Sequence, residues 1–459
     1  MNVKIRDEGL NRSQVLKTFE HFTEAIGPRL TGSPAAKAAD DYVVEILKQW
    51  GISNAHLEPW QFGRGWQLDK STIELTEPRY APLIGYPEAW SASTPGEIVG
   101  TPIFIGNKLL AELQAMKGQL KGAIVLSQPI QDSFERIDRP QPTLSDTPVA
   151  IGQPRPPAGS APFITPTAVN KAIFETGAAV ILRPNRGEHG TLFVLGRDNG
   201  DAAMPSMILS AEHYNMLVRM LDLGLKPKVR VNIQAKFLTD DKNSYNVIAE
   251  IPGTDLIDEI VMIGAHLDSW HAGTGAADNA DGASVALEAM RILNAIGIKP
   301  RRTIRMAIWN GEEEGLLGSQ AYVNKYLAGD ANAVAREKFD VYFNQDPGTG
   351  PIFGWYLENN AAVKPIFDAW LEPFKDLGAR KNILQPIGST DHVTFNRVGV
   401  PGFNAVQDYD LYDTRIHHTN MDTFERVKEK DLKECAVVLA SFAYHAAMRN
   451  EKLPRPVIK

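Results

Sequence analysis

The sequence predicts an α/β fold: a central sheet covered by helices on both faces and interrupted by a separate β-rich module. Three observations carry this prediction. From residue 243 onward, apolar strand-like runs alternate with helical stretches. Residues 65–238 change texture, to short β-like runs with few long helical stretches between them. Ionisable residues collect where the apolar runs end, and the carboxyl ends of strands are where α/β sheets build their sites.

Before the module, SQVLKTFEHFTEAI and AAKAADDYVVEILKQWG give an amphipathic pattern near residues 12–50. They read as two helices separated by the turn-rich GPRLTGSP, with Gly51 as the C-cap of the second. Inside the module, STIEL, GAIVLS, AAVILR, TLFVLG and VRVNIQAKFL read as strands. Residues 140–166 hold eight prolines, including those of GQPRPPAGSAP, and form an irregular loop. Beyond the module, NVIAEIPG and EIVMIGAH read as buried strands. DGASVALEAMRILNAIG reads as a helix with Val285, Ala289, Ile292 and Ile296 on one face. TIRMAIWN and VYFNQD are further strands, and DLKECAVVLASFAYHAAM closes the chain as a helix. The organisation is therefore one discontinuous domain, 1–64 with 239–459, and one inserted domain, 65–238.

The totals narrow the function. The 459 residues carry 48 basic and 55 acidic side chains, a net charge of −7, and 43% are apolar. At about 150 residues per domain this length suggests two or three domains. The charge shows none of the basic surplus of nucleic-acid binders. No apolar run approaches the roughly 20 residues of a membrane span. The single cysteine, Cys435, lies in an apolar helical pattern and reads as core; it excludes a disulfide framework or a cysteine-rich metal site. The opening MNVKIRDEGLNRSQ has no apolar signal core. The expected compartment is the cytoplasm, or the periplasm or exterior if a leader has been removed.

Residues 264–282 read GAHLDSWHAGTGAADNADG and directly follow an apolar run. His266 and Asp268, spaced i, i+2, leave a strand end on the same side. A ligating histidine commonly needs a carboxylate or carbonyl on its other ring nitrogen, and Asp268 can supply it. Asp278 is either a cap or turn aspartate or a ligand; Asp281 suits the cap better. In WNGEEEGLLGS, three adjacent carboxylates either form a solvated turn or are compensated by cations. Asp346 in FNQDPGTG follows another strand, and His417 and His418 sit in the polar IHHTNMDT. Nitrogen and oxygen ligands without thiolate suit zinc, or manganese or cobalt in its place. Two metals about 3.5–4 Å apart need a bridging carboxylate and separate terminal ligands. Of the neighbours, His271 reads as exposed, Trp270 and Trp309 as packing beside the motifs, and Arg301–Arg302 as a solvated strand end.

NVIAEIPG, GAHLDSW with DNADG, EEEGLLGS, GSTDHVTFNRVGVP and HTNMDT occur in the order seen in M28 co-catalytic zinc peptidases. The chain resembles the aminopeptidase and carboxypeptidase Q branch of that family, over GPRLTGS and about 243–459. The insert resembles a protease-associated domain through LKGAIVLS and ETGAAVILR. The resemblance implies a mixed central sheet of the zinc-exopeptidase type. It makes His266 and Asp346 terminal ligands of one zinc, Glu313 and His418 those of a second, and Asp278 the bridge. Glu312 becomes the general base toward a metal-activated water, with the glycine after the triple glutamate setting the register. Asp268 would orient His266, and His417 would either donate to the oxyanion or be a structural histidine behind the ligands. Asp391 and His392 would contact substrate or stand behind the metal ligands, with fold maintenance as the alternative, and the Asp278–Asn279 peptide would be cis.

The implied activity is hydrolysis of short peptides or dipeptides by a di-zinc exopeptidase, with removal from the amino end favoured. A carboxypeptidase of the same fold needs a cation for the terminal carboxylate, which sequence does not locate. A non-catalytic receptor-like protein is the alternative of another class, and it would be expected to have lost ligands. The implied partner is a short peptide substrate, with no nucleic acid and no membrane span; the resemblance allows a homodimer.

Overall fold

The computed structural model describes residues 1–106, 108, 110–142 and 166–455. The proline-rich stretch GQPRPPAGSAP lies outside them. A seven-stranded mixed sheet organises the larger unit, in the order Ser53–Gln61, Asn243–Ile251, Arg302–Trp309, Leu256–His266, Phe339–Asn344, Gly402–Asp408, Thr349–Tyr356. The four strands from Arg302–Trp309 to Gly402–Asp408 run parallel, and antiparallel strands close both sides. Along Leu256–His266, Val261 and Ile263 enter the large core while Met262 enters a smaller one on the opposite face. That alternation is the period of a strand buried on both faces.

The large core lies beneath the closing helix Glu429–Met448 and the helix Asp281–Ala295, joined by residues of the N-terminal helices. Asp281–Ala295 is buried from Asp281 through Leu293 rather than along one stripe. The sheet covers one side, and the closing and N-terminal helices take the other. The helix Pro34–Gln49 begins where Ser33 accepts the Ala36 N–H at 3.1 Å, with proline at the first turn. It ends at Gly51, whose φ of 73° suits glycine. Arg302, expected in solvent, is 1% exposed. It donates to Glu259 at 2.7 Å and to the Arg449 carbonyl at 2.6 Å, so it anchors the chain end after the closing helix. Cys435 is buried, as expected.

Residues 65–238 carry two sheets of their own. The strands Gly65–Glu77 and Lys228–Leu238 pair antiparallel from end to end, Gly65 facing Leu238, so the chain enters and leaves side by side. The second sheet runs Gly85–Pro87, Ser206–Leu209, Val180–Pro184, Ile124–Leu126, Ile103–Phe104 and is mainly parallel. Parallel pairing needs crossovers, and the short helices Leu110–Ala115 and Lys117–Leu120 and the helix Pro166–Thr176 supply two of them. The insert is therefore more helical than its sequence texture suggested.

TLFVLG forms no strand. Its main chain bonds instead to the larger unit: Leu192 N–H to the Asn420 side chain at 2.7 Å, and Val194 N–H to the His418 carbonyl at 3.1 Å. No helix among the described residues is long and apolar enough to cross a membrane.

Candidate metal centre

The parallel strands end in register. His266 pairs with Trp309 and Gly264 with Asn344, so the residues that follow emerge along one edge. There the loops bring together His266, Asp278, Glu313, Asp346 and His418, which are separated by up to 152 positions in sequence. His266 Nε2 lies 3.4 Å from Asp278 Oδ1 and 3.7 Å from Asp346 Oδ2. The other Asp278 oxygen, Oδ2, lies 3.5 Å from His418 Nε2, and His418 Nε2 lies 2.8 Å from Glu313 Oε2. One carboxylate thus faces two imidazoles, one with each oxygen. Two overlapping donor groups result: His266, Asp278 and Asp346; and Asp278, His417 and His418.

Each loop is held from behind. The Asp268 main-chain carbonyl approaches His266 Nδ1 at 3.0 Å, closer than its own carboxylate at 3.5 Å. The carboxylate accepts instead the N–H groups of Glu312 and Glu313, at 3.3 and 3.2 Å, and the Thr31 hydroxyl at 3.1 Å. Thr31 in turn accepts the Gly311 N–H at 3.1 Å. Gly311 has φ 77°, and a Cβ there would lie 2.7 Å from the Trp60 ring, so this turn requires glycine. Asp422 accepts the N–H groups of Ala277 and Asp278, at 2.8 and 3.1 Å. The buried Arg29 guanidinium donates to the carbonyls of Leu267, Thr274 and Gly275, at 2.7, 2.7 and 2.8 Å. The Asp278–Asn279 peptide is cis.

Burial alone would push the His266 imidazole down, yet the carboxylates around it, Glu312 and Asp346 foremost, hold it well above its ordinary range. Burial pushes the Glu312 carboxyl well above its ordinary value, and Asp346, Asp391 and Glu313 act in the same direction. Burial and the neighbouring His418 hold His417 down at about 3, a neutral ring stacked on Tyr412 at 5.2 Å. His266 Nε2, Asp278 Oδ2 and Glu313 Oε1 are buried without hydrogen-bond partners. Buried polar atoms are seldom left so. Their identity, imidazole nitrogen and carboxylate oxygen, fits a hard or borderline divalent cation.

Asp278, Glu312, Glu313, Asp346, His417 and His418 all open onto one cleft of about 910 Å³. Asp391 and His392 do not. Both are fully buried, burial holds Asp391 up at about 7, and His392 Nε2 faces Glu358 at 3.2 Å. The helix His392–Asn396 turns them inward, and Gly388 and Ser389 reach the cleft in their place. Asp281 is the first residue of its helix rather than the residue before it; the Gly282 N–H is shared by Asp281 Oδ1 at 2.6 Å and Asn279 Oδ1 at 3.0 Å, because the preceding turn runs directly into the helix.

His271 is buried, not exposed. Its Nε2 bonds the Pro87 carbonyl at 2.8 Å and its ring meets Trp66 edge-on, which joins the insert to the loop after His266. Trp309 packs against Tyr322, Tyr342 and Phe395. Trp270 meets the His418 ring edge-on at 6.2 Å and lines a second cavity with Glu313 and Glu314.

Several residues of the site had no signal in the sequence. Arg139 of the insert pairs with Asp413 and lies over the Tyr409 ring at 4.7 Å. Asp138 accepts the Leu411 and Thr414 N–H groups, both at 2.9 Å. These contacts strap the insert across the cleft. Arg186 and Arg397 also line it.

Residues 246–443 match the model of a family described as Peptidase family M28. Carboxypeptidase Q of Homo sapiens is 24% identical over 458 residues, which covers 99% of this chain and 89% of that protein. A solved Peptidase M28 precursor from Shewanella amazonensis is 27% identical with a TM-score of 0.73, covering 99% of this chain and 98% of the other. BSAP, a zinc aminopeptidase from Bacillus subtilis, shares the fold at 19% identity and a TM-score of 0.64, each chain covered to 95%.

Proposed function

We propose that this chain, which belongs to peptidase family M28 over residues 246–443 and is a hydrolase of the metallopeptidase class, is a di-zinc exopeptidase acting on short peptides or dipeptides. The observation that carries the reading is the Asp278 carboxylate, whose two oxygens face His266 and His418 at 3.4 and 3.5 Å. That is the arrangement a bridging ligand needs. His266 and Asp346 would hold one ion and Glu313 and His418 the other. Zinc bound there would supply Lewis acidity and lower the pKa of a water in the cleft.

The remaining steps belong to the chain's own side chains. Glu312 takes a proton from the attacking water and gives one to the departing amine, a role suited to a carboxyl that burial holds above its ordinary range. His417, neutral and stacked on Tyr412, donates a ring N–H to the oxygen that gains negative charge. Asp268 holds the main chain of Glu312 and Glu313 and steadies the His266 ring. The insert, read as a protease-associated domain, walls the cleft through its strap at Asp138 and Arg139 and so limits substrate length.

Removal from the amino end is the direction expected from the sequence. The carboxypeptidase reading is equally supported, by the relatives named carboxypeptidase Q. A chelator, followed by zinc, tests the proposal on a panel of dipeptides and aminoacyl amides. Hydrolysis lost with the chelator and regained with zinc is the expected result. Hydrolysis indifferent to the chelator removes the metal from the reaction.

A further inference from the structure

The cleft has a basic side as well as an acidic one, and its cations are not equivalent. Arg139 is committed to Asp413 through both Nε and Nη2. Arg186 is exposed and, among the described residues, makes no ion pair. Its guanidinium lies 4.2 Å from the centre of the Phe193 ring. Phe193 forms a β-bridge with Thr419, the residue after His418. The Arg186 carbonyl accepts the Glu135 N–H at 3.0 Å, and Asn185 donates to the Phe193 carbonyl at 3.0 Å. An arginine of the insert is thus fixed, by stacking and main-chain bonds, onto the segment that carries a proposed zinc ligand. Among the described residues, no carboxylate pairs with its donors.

We propose that Arg186 binds the C-terminal carboxylate of a short peptide whose scissile bond lies over the metal centre. The assignment rests on the peptidase reading above. A planar guanidinium is suited to a carboxylate, which it can hold by two parallel N–H···O bonds. An anchor on the same cleft wall as His418 sets how much chain fits between carbonyl and terminus, so free dipeptides and other very short peptides are the substrate class. It supplies the cation that a carboxypeptidase or dipeptidase requires. Arg397, the other cleft arginine without an ion pair among the described residues, donates to Gln320 of the helix Leu317–Tyr326 at 3.2 Å and serves as the control.

The test compares kcat/KM for Ala-Phe with that for Ala-Phe amide in the zinc-loaded wild type, Arg186→Gln, Arg186→Lys and Arg397→Gln. The wild type is expected to prefer the free acid, and the acid-to-amide ratio should fall roughly ten- to a hundredfold in Arg186→Gln. Arg186→Lys should keep part of the preference, and Arg397→Gln should keep all of it. An unchanged ratio in Arg186→Gln, or the loss appearing in Arg397→Gln instead, overturns the assignment. So does a ratio that falls equally for Ala-Glu amide, because the anion bound would then be a side chain.

Calorimetric binding of the hydrolysis-resistant Gly-D-Phe and its amide reads the same contact without turnover. Acid-selective binding lost in Arg186→Gln, in a protein that hydrolyses nothing, would sink the peptidase reading and keep the carboxylate site.

Discussion

The Asp268 carboxylate accepts the main-chain N–H of Glu313 at 3.2 Å. This bond joins the loop after one central strand to the loop after its neighbour. Asp268 therefore positions the proposed base and a proposed ligand on one loop while its carbonyl faces the His266 ring on the other. Two consequences of the sheet register meet in one side chain.

Replacing Asp268 should accordingly disturb more than one function. Asp268→Ala leaves two main-chain N–H groups and the Thr31 hydroxyl without their acceptor. The expected loss of stability is about 1–3 kcal/mol, read from the urea midpoint. Zinc affinity should drop by roughly 10- to 100-fold, read by competition with a chromogenic chelator. Wild-type values of both would remove Asp268 from the positioning role.

Glu312→Gln keeps the shape of the side chain and removes the proton acceptor. Zinc content by atomic emission should match the wild type, while kcat falls by roughly 10²–10⁴-fold. A variant with near-normal turnover would take Glu312 out of the base role.

Asp278→Ala should behave in the opposite way. It removes a carboxylate that faces both imidazoles, so zinc content itself should fall below that of Glu312→Gln under the same loading. Equal occupancy in the two variants would count against a bridge at this position.

His271 predicts a pH effect on stability. Burial holds its ring down at about 4, against 6.5 for an ordinary histidine. Between these values the unfolded chain takes up a proton that the folded chain does not. The neutral His271 contribution is complete above about pH 6.5 and lost as pH falls toward 4, by up to roughly 3 kcal/mol. His271→Gln, which can still donate to the Pro87 carbonyl, should flatten that part of the profile. Parallel urea midpoints from pH 4 to 7 in the two proteins would show that His271 does not contribute.

Much of the centre was legible in the sequence because strand ends are legible. An apolar run that stops at His266, Trp309 or Asn344 marks where the chain turns, and the polar residues just beyond must share one edge. What was not legible depends on contacts far apart in the chain. Nothing local distinguishes Arg29 in GPRLTGSP from a solvated arginine, yet it meets the carbonyl of Leu267, 238 positions away. TLFVLG has the composition of a strand, but the Asn420 side chain and the His418 carbonyl take its N–H groups. His271 looked exposed because its loop is rich in glycine, and the insert covers it. Asp391 and His392 looked like cleft residues from their motif, and a short helix turns them into the interior.

Zinc-edge anomalous diffraction from crystals grown with zinc tests the metal centre most directly. The expected result is two peaks about 3.5–4 Å apart, one beside His266 and Asp346 and one beside Glu313 and His418, with the Asp278 carboxylate between them. A single peak, or zinc bound away from these five side chains, would contradict it.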